Sequence, residues 1–315
     1  VDEVGVVVGS VDRSLTIFPV EDPGALRTVG LGPDGTPVGV AVRGSLAAVP
    51  MGLVPAVVVV DLSRGTVLRT VALPQGSGAT GAAFLNDSIV LVANPGLNSV
   101  SPVNVRSGTR GDAIPTGAYP QAVVVAAGRV FVVNAELENF APTGPGTLTV
   151  LNATTLTAMG TVALSGMNPG AAALGPDGRL YVVHGGNFGM ANGSLSVVDP
   201  GTLVETAHHP GFGDFPGGLA IRPDGSVLVS SFAAGIMVWE PSAGFIRGPG
   251  NAVEPGGIGS ASGVGVDAEG RVYTLKPDCQ NPSSVFRLGE SFQQEVEIPA
   301  GICPTGIAFT QMEDG

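Results

Sequence analysis

The sequence predicts an all-β protein, a seven-bladed β-propeller with four antiparallel strands per blade, and three observations carry that expectation. A six-residue motif returns seven times, at 37–42, 79–84, 120–125, 169–174, 216–221, 261–266 and 304–309. Within each copy a small residue alternates with a larger apolar one, the period-two signature of a buried strand. The spacing, about 45 residues, is that of propeller blades and solenoids, in which one supersecondary unit recurs. After each motif the same order follows: a tight turn, a Val-rich strand, a loop of variable length, a third strand and a more polar fourth strand.

The motif itself is read as the innermost strand. Gly or Ala stands at two of its positions in nearly every copy, as in Pro37-Val-Gly39-Val-Ala41-Val42, because strands converging on an axis leave little room. The turns after it are clearest at Gly175-Pro-Asp-Gly178, Arg222-Pro-Asp-Gly225 and, more loosely, Asp267-Ala-Glu-Gly270. There Pro presets φ and Gly takes the positive-φ position, which makes a hairpin. The second strands are strongly apolar (88–93, 129–133, 179–183, 226–230), and the third strands close on Asp or Asn (56–61, 147–152, 194–199), suited to a side-chain-capped turn. A fourth strand such as 66–73 carries Arg and Thr, as an outermost strand facing water tolerates.

Only residues 310–315 follow the seventh motif, too few for three more strands. The missing strands stand at the other end, at 4–8, 14–18 and 26–31, so the last blade combines one C-terminal strand with three N-terminal ones. That arrangement makes residues 1–315 a single closed domain and removes the open edges of the ring. A solenoid would need polar capping repeats, and neither end shows one.

Composition narrows the function classes. Charged residues are 13% and hydrophobic ones 44%, with 49 glycines and 26 prolines spread among the Val-rich runs. This pattern reads as many short strands joined by tight turns, with ample apolar surface to bury, rather than as disorder. A net charge of −12 argues against nucleic acid and against an anionic lipid surface. No apolar run reaches the length of a membrane span. The sequence opens at Val1 without a basic leader or an apolar segment, as a processed or a trimmed chain would.

The repeats resemble the YVTN-type family of seven-bladed propellers. The residues that carry the resemblance are Val132-Val133-Asn134, Val92-Ala93-Asn94, Tyr181-Val-Val-His184, Ser194-Leu-Ser-Val-Val-Asp199 and Pro37-Val-Gly-Val-Ala-Val42. It covers essentially the whole chain and departs most over 236–283, which holds the single Trp and a Gly-rich stretch at 248–260. The resemblance implies secreted, periplasmic or surface proteins that mostly bind partners. A more distant similarity to lactonase-like propellers, at the Pro-Asp-Gly turn and the Leu-Tyr-Val strand, implies a divalent cation held by Glu, Asp and Asn side chains.

Function is expected on one face. In a propeller the loops between second and third strands share a face with the blade-to-blade connections, and the irregular segments 135–146, 185–193, 209–215, 248–260 and 276–283 all fall there. The expected binding face comprises Phe140, His184, Phe188, Phe212, Asp214, Phe215 and Trp239. Aromatic enrichment with few charges fits a protein-contact surface. Cys279 and Cys303, the two cysteines, fall on this face in adjacent blades and are expected to form a disulfide, which points to an oxidising compartment.

Catalytic signatures are lacking. His208 and His209 are adjacent in an outer strand, so they point to opposite sides and do not chelate together. Asn134, Asn187, Asp214, Glu254 and Asp278 offer oxygens, but their spacing carries no metal-ligand pattern, and Gly257-Ile-Gly-Ser-Ala261 is no nucleophile elbow. The sequence therefore points to a non-catalytic, extracytoplasmic binding or scaffold module. It would dock a protein partner, with no cofactor, as an accessory subunit of a surface or peripherally membrane-associated complex. The alternatives are a metal-dependent lactonase-like hydrolase and a small-ligand or glycan binder at the mouth of the axial channel.

Overall fold

The computed structural model describes residues 2–257 and 259–312. Seven four-stranded antiparallel sheets stand around an axis, and six run outward in chain order from their repeated motif, the seventh passing from the C-terminal strand to the first three strands of the chain. Blade 1 consists of Ala41–Arg43, Leu46–Pro50, Ala56–Asp61 and Thr66–Ala72. Blades 3, 4 and 5 begin at Pro120–Ala126, Pro169–Leu174 and Pro216–Ile221, and blade 6 at Gly263–Val266. In blade 2, which begins at Ala82–Phe84, the outermost strand is broken into Thr109–Arg110 and Ile114–Pro115.

The Val-rich strands are apolar throughout because each blade is covered on both faces. Along Ala56–Asp61, Val58 and Val60 enter the core shared with blade 7, while Val57 and Val59 enter the core shared with blade 2. Successive residues of a strand point to opposite faces, so one strand supplies two interfaces. The buried side chains accordingly gather into seven clusters, one between each pair of neighbouring blades.

Small residues at the axis have a steric cause. A Cβ at Gly306 of blade 7 would stand 3.0 Å from the Gly39 Cα of blade 1, and one at Gly81 would strike the Gln121 carbonyl. The alternation is not continuous, however. In blades 3, 4 and 5 the ladder slips after the leading Pro, leaving Gln121, Gly170 and Gly217 as bulge residues. In blades 1 and 2 only the second half of the motif pairs with its neighbour.

The ring closes as the repeat pattern requires. Asp2–Gly9 pairs antiparallel with Pro304–Met312, with Val6 opposite Ala308, and Ser14–Pro19 and Arg27–Gly30 complete blade 7. Across the seam, the Glu3 carboxylate accepts from the Ala268 amide at 2.9 Å, and Arg271 pairs with Glu21 at 2.7 Å. The disulfide between Cys279 and Cys303, 24 residues apart, links the second-to-third-strand loop of blade 6 to the entry of blade 7. Third-strand residues cap the following turns as expected: Asp61, Asn104, Asn152 and Asp199 each accept two backbone N–H groups through one side-chain oxygen.

Two outcomes follow from this closure. Deleting residues 304–315 should abolish cooperative melting or leave the chain aggregated; a soluble truncation that melts cooperatively would refute the shared blade. Replacing both cysteines by Ser should lower unfolding stability by roughly 3 kcal/mol, from the loop entropy a bridge of this span removes, as read by urea titration; an unchanged midpoint would show that the bridge contributes nothing.

Candidate functional site

The face defined by the second-to-third-strand loops carries exposed apolar side chains at the loops of six blades. They are Val11, Leu53, Leu97, Phe140, the pair Phe188 and Met190, and Phe232. Phe140, Phe188 and Met190 are 71%, 64% and 67% exposed. Phe140 stands at the tip of a two-stranded hairpin, Leu137–Glu138 with Ala141–Pro142, whose central residues Asn139 and Phe140 both have positive φ (49° and 62°). That is the geometry of a type I′ turn, normally given to Asn and Gly, so a bulky aromatic held there is strained.

A second device places aromatics on this face. The residue just before the leading Pro of the inner strand is left-handed in four blades: Tyr119, Asn168, Phe215 and Cys303, with φ between 54° and 60°. Tyr119 meets Phe140 edge-on at 6.0 Å, and Phe215 meets Phe188 at 5.3 Å. The disulfide follows the same plan, since Cys279 of one blade's loop bonds to the left-handed Cys303 that enters the next blade. Phe188 and Phe215 thus hold, between blades 4 and 5, the place the disulfide holds between blades 6 and 7. Asp214 steadies this corner by accepting the Gly189 amide at 3.2 Å.

Three residues expected on the face are not accessible there. Trp239 is 4% exposed and lies in the core between blades 4 and 5, against Tyr181 and His209, because its third-strand position points between blades. Phe212 is fully buried beside Phe245. His184 is also fully buried; it occupies the last position of the second strand, where blades 2, 3 and 5 carry the equally buried Asn94, Asn134 and Ser231. Phe140, Phe188, Asp214 and Phe215 remain on the loop-rich face.

His184 belongs to a polar network between blades 3 and 4 that no sequence motif announces. The Ser196 hydroxyl donates to Glu205 Oε1 at 2.5 Å, which leaves its oxygen to accept from His184 Nε2 at 2.7 Å. His184 is thereby a neutral imidazole with its proton on Nε2, and its Nδ1 has no partner among the described residues. Ser165 of blade 3 donates its amide and its hydroxyl to the same carboxylate, at 3.1 and 2.5 Å. His208 Nδ1 lies 3.3 Å from Ser196 Oγ. Burial disfavours ionisation of Glu205, but the hydrogen bonds from Ser165 and Ser196 outweigh it and hold the carboxyl below its ordinary value. Burial, with the nearby His208, pushes His184 down to about 3.

This Ser, His and Glu grouping is not a hydrolytic triad. In a triad the carboxylate orients the histidine through Nδ1 and the serine is free to attack. Here the carboxylate accepts from the serine hydroxyl, Nδ1 faces no carboxylate, and Ser196 is fully buried. The network fastens two blades. His208 and His209 point to opposite faces of their strand, toward His184 and Trp239 respectively.

Four of the residues considered for a lactonase-type cation have local hydrogen-bond partners. Asn134 donates through Nδ2 to Thr147 and Thr149 while its Oδ1 has no partner among the described residues, the backbone N–H of Asn187 donates to Asn192, and Asp278 caps the Gln280 and Asn281 amides. Among the described residues no group of three His, Cys, Asp or Glu side chains is placed to hold a metal ion. No helix among the described residues is long and apolar enough to cross a membrane.

No protein-family model matches the sequence, and no curated protein does. Solved structures do share the fold. The chain is similar to a functionally unknown protein from Desulfotomaculum acetoxidans DSM 771, with 15% identity over 98% of this chain and 99% of that one and a TM-score of 0.72. It is also similar to Kuenenia stuttgartiensis hydrazine synthase, with 15% identity over 86% and 88% and a TM-score of 0.68. Similarity to streptogramin B lyase reaches 12% identity over 87% of each chain, with a TM-score of 0.65. At these identities the likeness shows the propeller alone.

The buried imidazole sets a pH dependence. The unfolded chain takes up a proton near pH 6.5 that folded His184 refuses until about pH 3, so its contribution is complete above 6.5 and is lost as pH falls. Between pH 6.5 and 4.5 the loss is about 2 kcal/mol. His184→Asn, the residue that blades 2 and 3 use at this place, should flatten the decline in melting temperature over that window. An identical decline in the variant would remove His184 as its source.

Proposed function

We propose that the chain is a non-catalytic binding propeller that docks a protein partner through its loop-rich face, as a scaffold or accessory subunit of a surface or membrane-associated assembly. The observation that carries this reading is the gathering of exposed apolar loop residues on one face. Phe140, Phe188, Met190 and Phe215 stand there on strained, hydrogen-bonded loops of a rigid ring. Scattered surface apolars need no explanation, whereas large ones concentrated on one face do, the more so with Phe140 and Phe215 held at positive φ. Aromatic anchors on a fixed scaffold lose little conformational entropy when they bind.

The disulfide supports an extracytoplasmic location, periplasmic, secreted or at the cell surface, because such bridges persist in oxidising compartments. The YVTN-like strand and turn motifs point the same way.

The experiment is a quantitative pull-down from the native source, comparing the wild-type chain with Phe188→Ala/Phe215→Ala. Recovery of the partner should fall about tenfold, the ordinary loss on truncating a central aromatic anchor, with the melting temperature nearly unchanged. Undiminished capture by the variant would refute this face as the docking surface.

A further inference from the structure

We infer that the segment seated on this face is a polypeptide whose apolar anchors are flanked by Lys or Arg, and that it binds over blades 3 to 5. The inference rests on the docking reading above and adds the partner's chemistry. It comes from how charge is sorted between the two ends of the ring.

In this sector the segments that form the loop-rich face are 116–119, 135–144, 167–168, 185–193, 211–215, 232–234, 248–257 and 259–262. They contain no Lys or Arg, but they carry Glu136, Glu138, Asp214 and Glu254. The opposite end of the same blades is mixed in sign, with Arg129, Arg179 and Arg222 among Asp177, Asp199 and Asp224 at the hairpin turns. The aromatic pairs Tyr119–Phe140 and Phe188–Phe215 therefore stand in a field of one sign. Two of the carboxylates are built into the loops that hold the aromatics. Glu136 accepts from Thr147 at 2.6 Å at the base of the Phe140 hairpin, and Asp214 accepts the amide next to Phe188.

That field selects among occupants. A second copy of the chain docking by the same face would bring its carboxylates against their equivalents, and an anionic lipid surface would be repelled in the same way. A segment with cationic flanks is steered in, and its apolar residues cover the aromatic pairs. The anchors supply residence time and the carboxylates supply orientation and encounter rate.

The test is selection of a random-peptide display library on the full chain with its disulfide intact, followed by fluorescence-polarisation titration of synthesised winners. Enriched peptides should place Lys or Arg within a few residues of an aromatic or aliphatic pair. Their affinity should fall about tenfold on Phe188→Ala/Phe215→Ala. It should fall about threefold on Glu138→Gln/Glu254→Gln, two exposed positions, and also with added salt. Winners that need Phe188 and Phe215 but lack cations and ignore the glutamine variant would overturn the charge inference while leaving the docking face intact. Winners indifferent to both variants would overturn the docking face as well. Failure to enrich any peptide, with phenylalanine-dependent flotation on phosphatidylcholine vesicles instead, would replace the polypeptide with a neutral lipid surface and refute the proposal.

Discussion

The pairing of Asp2–Gly9 with Pro304–Met312 is the interaction on which the rest of this structure depends. Every other blade is made from consecutive chain, but its two apolar faces are satisfied only by neighbours on both sides. Without the final pairing, the clusters at the two faces of blade 7 lose one wall each, and Val6, Val8, Phe18 and Tyr273 are left without their cover. The disulfide, the Glu3 contact to Ala268 and the Arg271–Glu21 pair all lie near this seam. Reinforcement is placed where the chain is discontinuous.

A rigid ring allows a repeated position to change its chemistry without changing its place. The last residue of the second strand is Asn in blades 2 and 3, His in blade 4 and Ser in blade 5, always buried. Asn94 and Asn134 each donate to two hydroxyls of the third strand, Ser231 donates to the Asp214 carbonyl, and His184 donates to Ser196. Each of these groups is stabilised in burial by at least one hydrogen bond, while Asn94 Oδ1, Asn134 Oδ1 and His184 Nδ1 have no partner among the described residues. The position thus serves the interface between blades, and histidine is one solution among several. The left-handed residue before four of the inner strands shows the same economy: Phe215 and Cys303 form an aromatic pair and a disulfide from equivalent backbone.

Binding surface and fold are separable here. Side chains of the second and third strands are committed to the inter-blade cores, and the outer strands carry the polar edge. The loops are left to present Phe140, Phe188, Met190 and Phe215, because their backbone is braced by the strands from which they spring. The carboxylates around them stand on those same loops; of the four arginines of these blades, Arg129, Arg179 and Arg222 lie at the opposite turns and Arg247 ends an outer strand, over the Phe292 ring.

The amino-acid sequence by itself determined the blade count, the strand order, the shared last blade and the cysteine pairing. These follow from periodicity and spacing, which are local properties repeated along the chain. Phe140 and Phe188 were legible as exposed because both lie in long Gly- and Asn-containing loops. Tertiary structure alone decided that Trp239, Phe212 and His184 are core residues, since burial depends on which neighbouring blade covers a strand face. It also decided that Ser165, Ser196, Glu205 and His208 meet around His184. Those side chains come from two blades and three strands, and no pattern along one strand records what the next blade places against it.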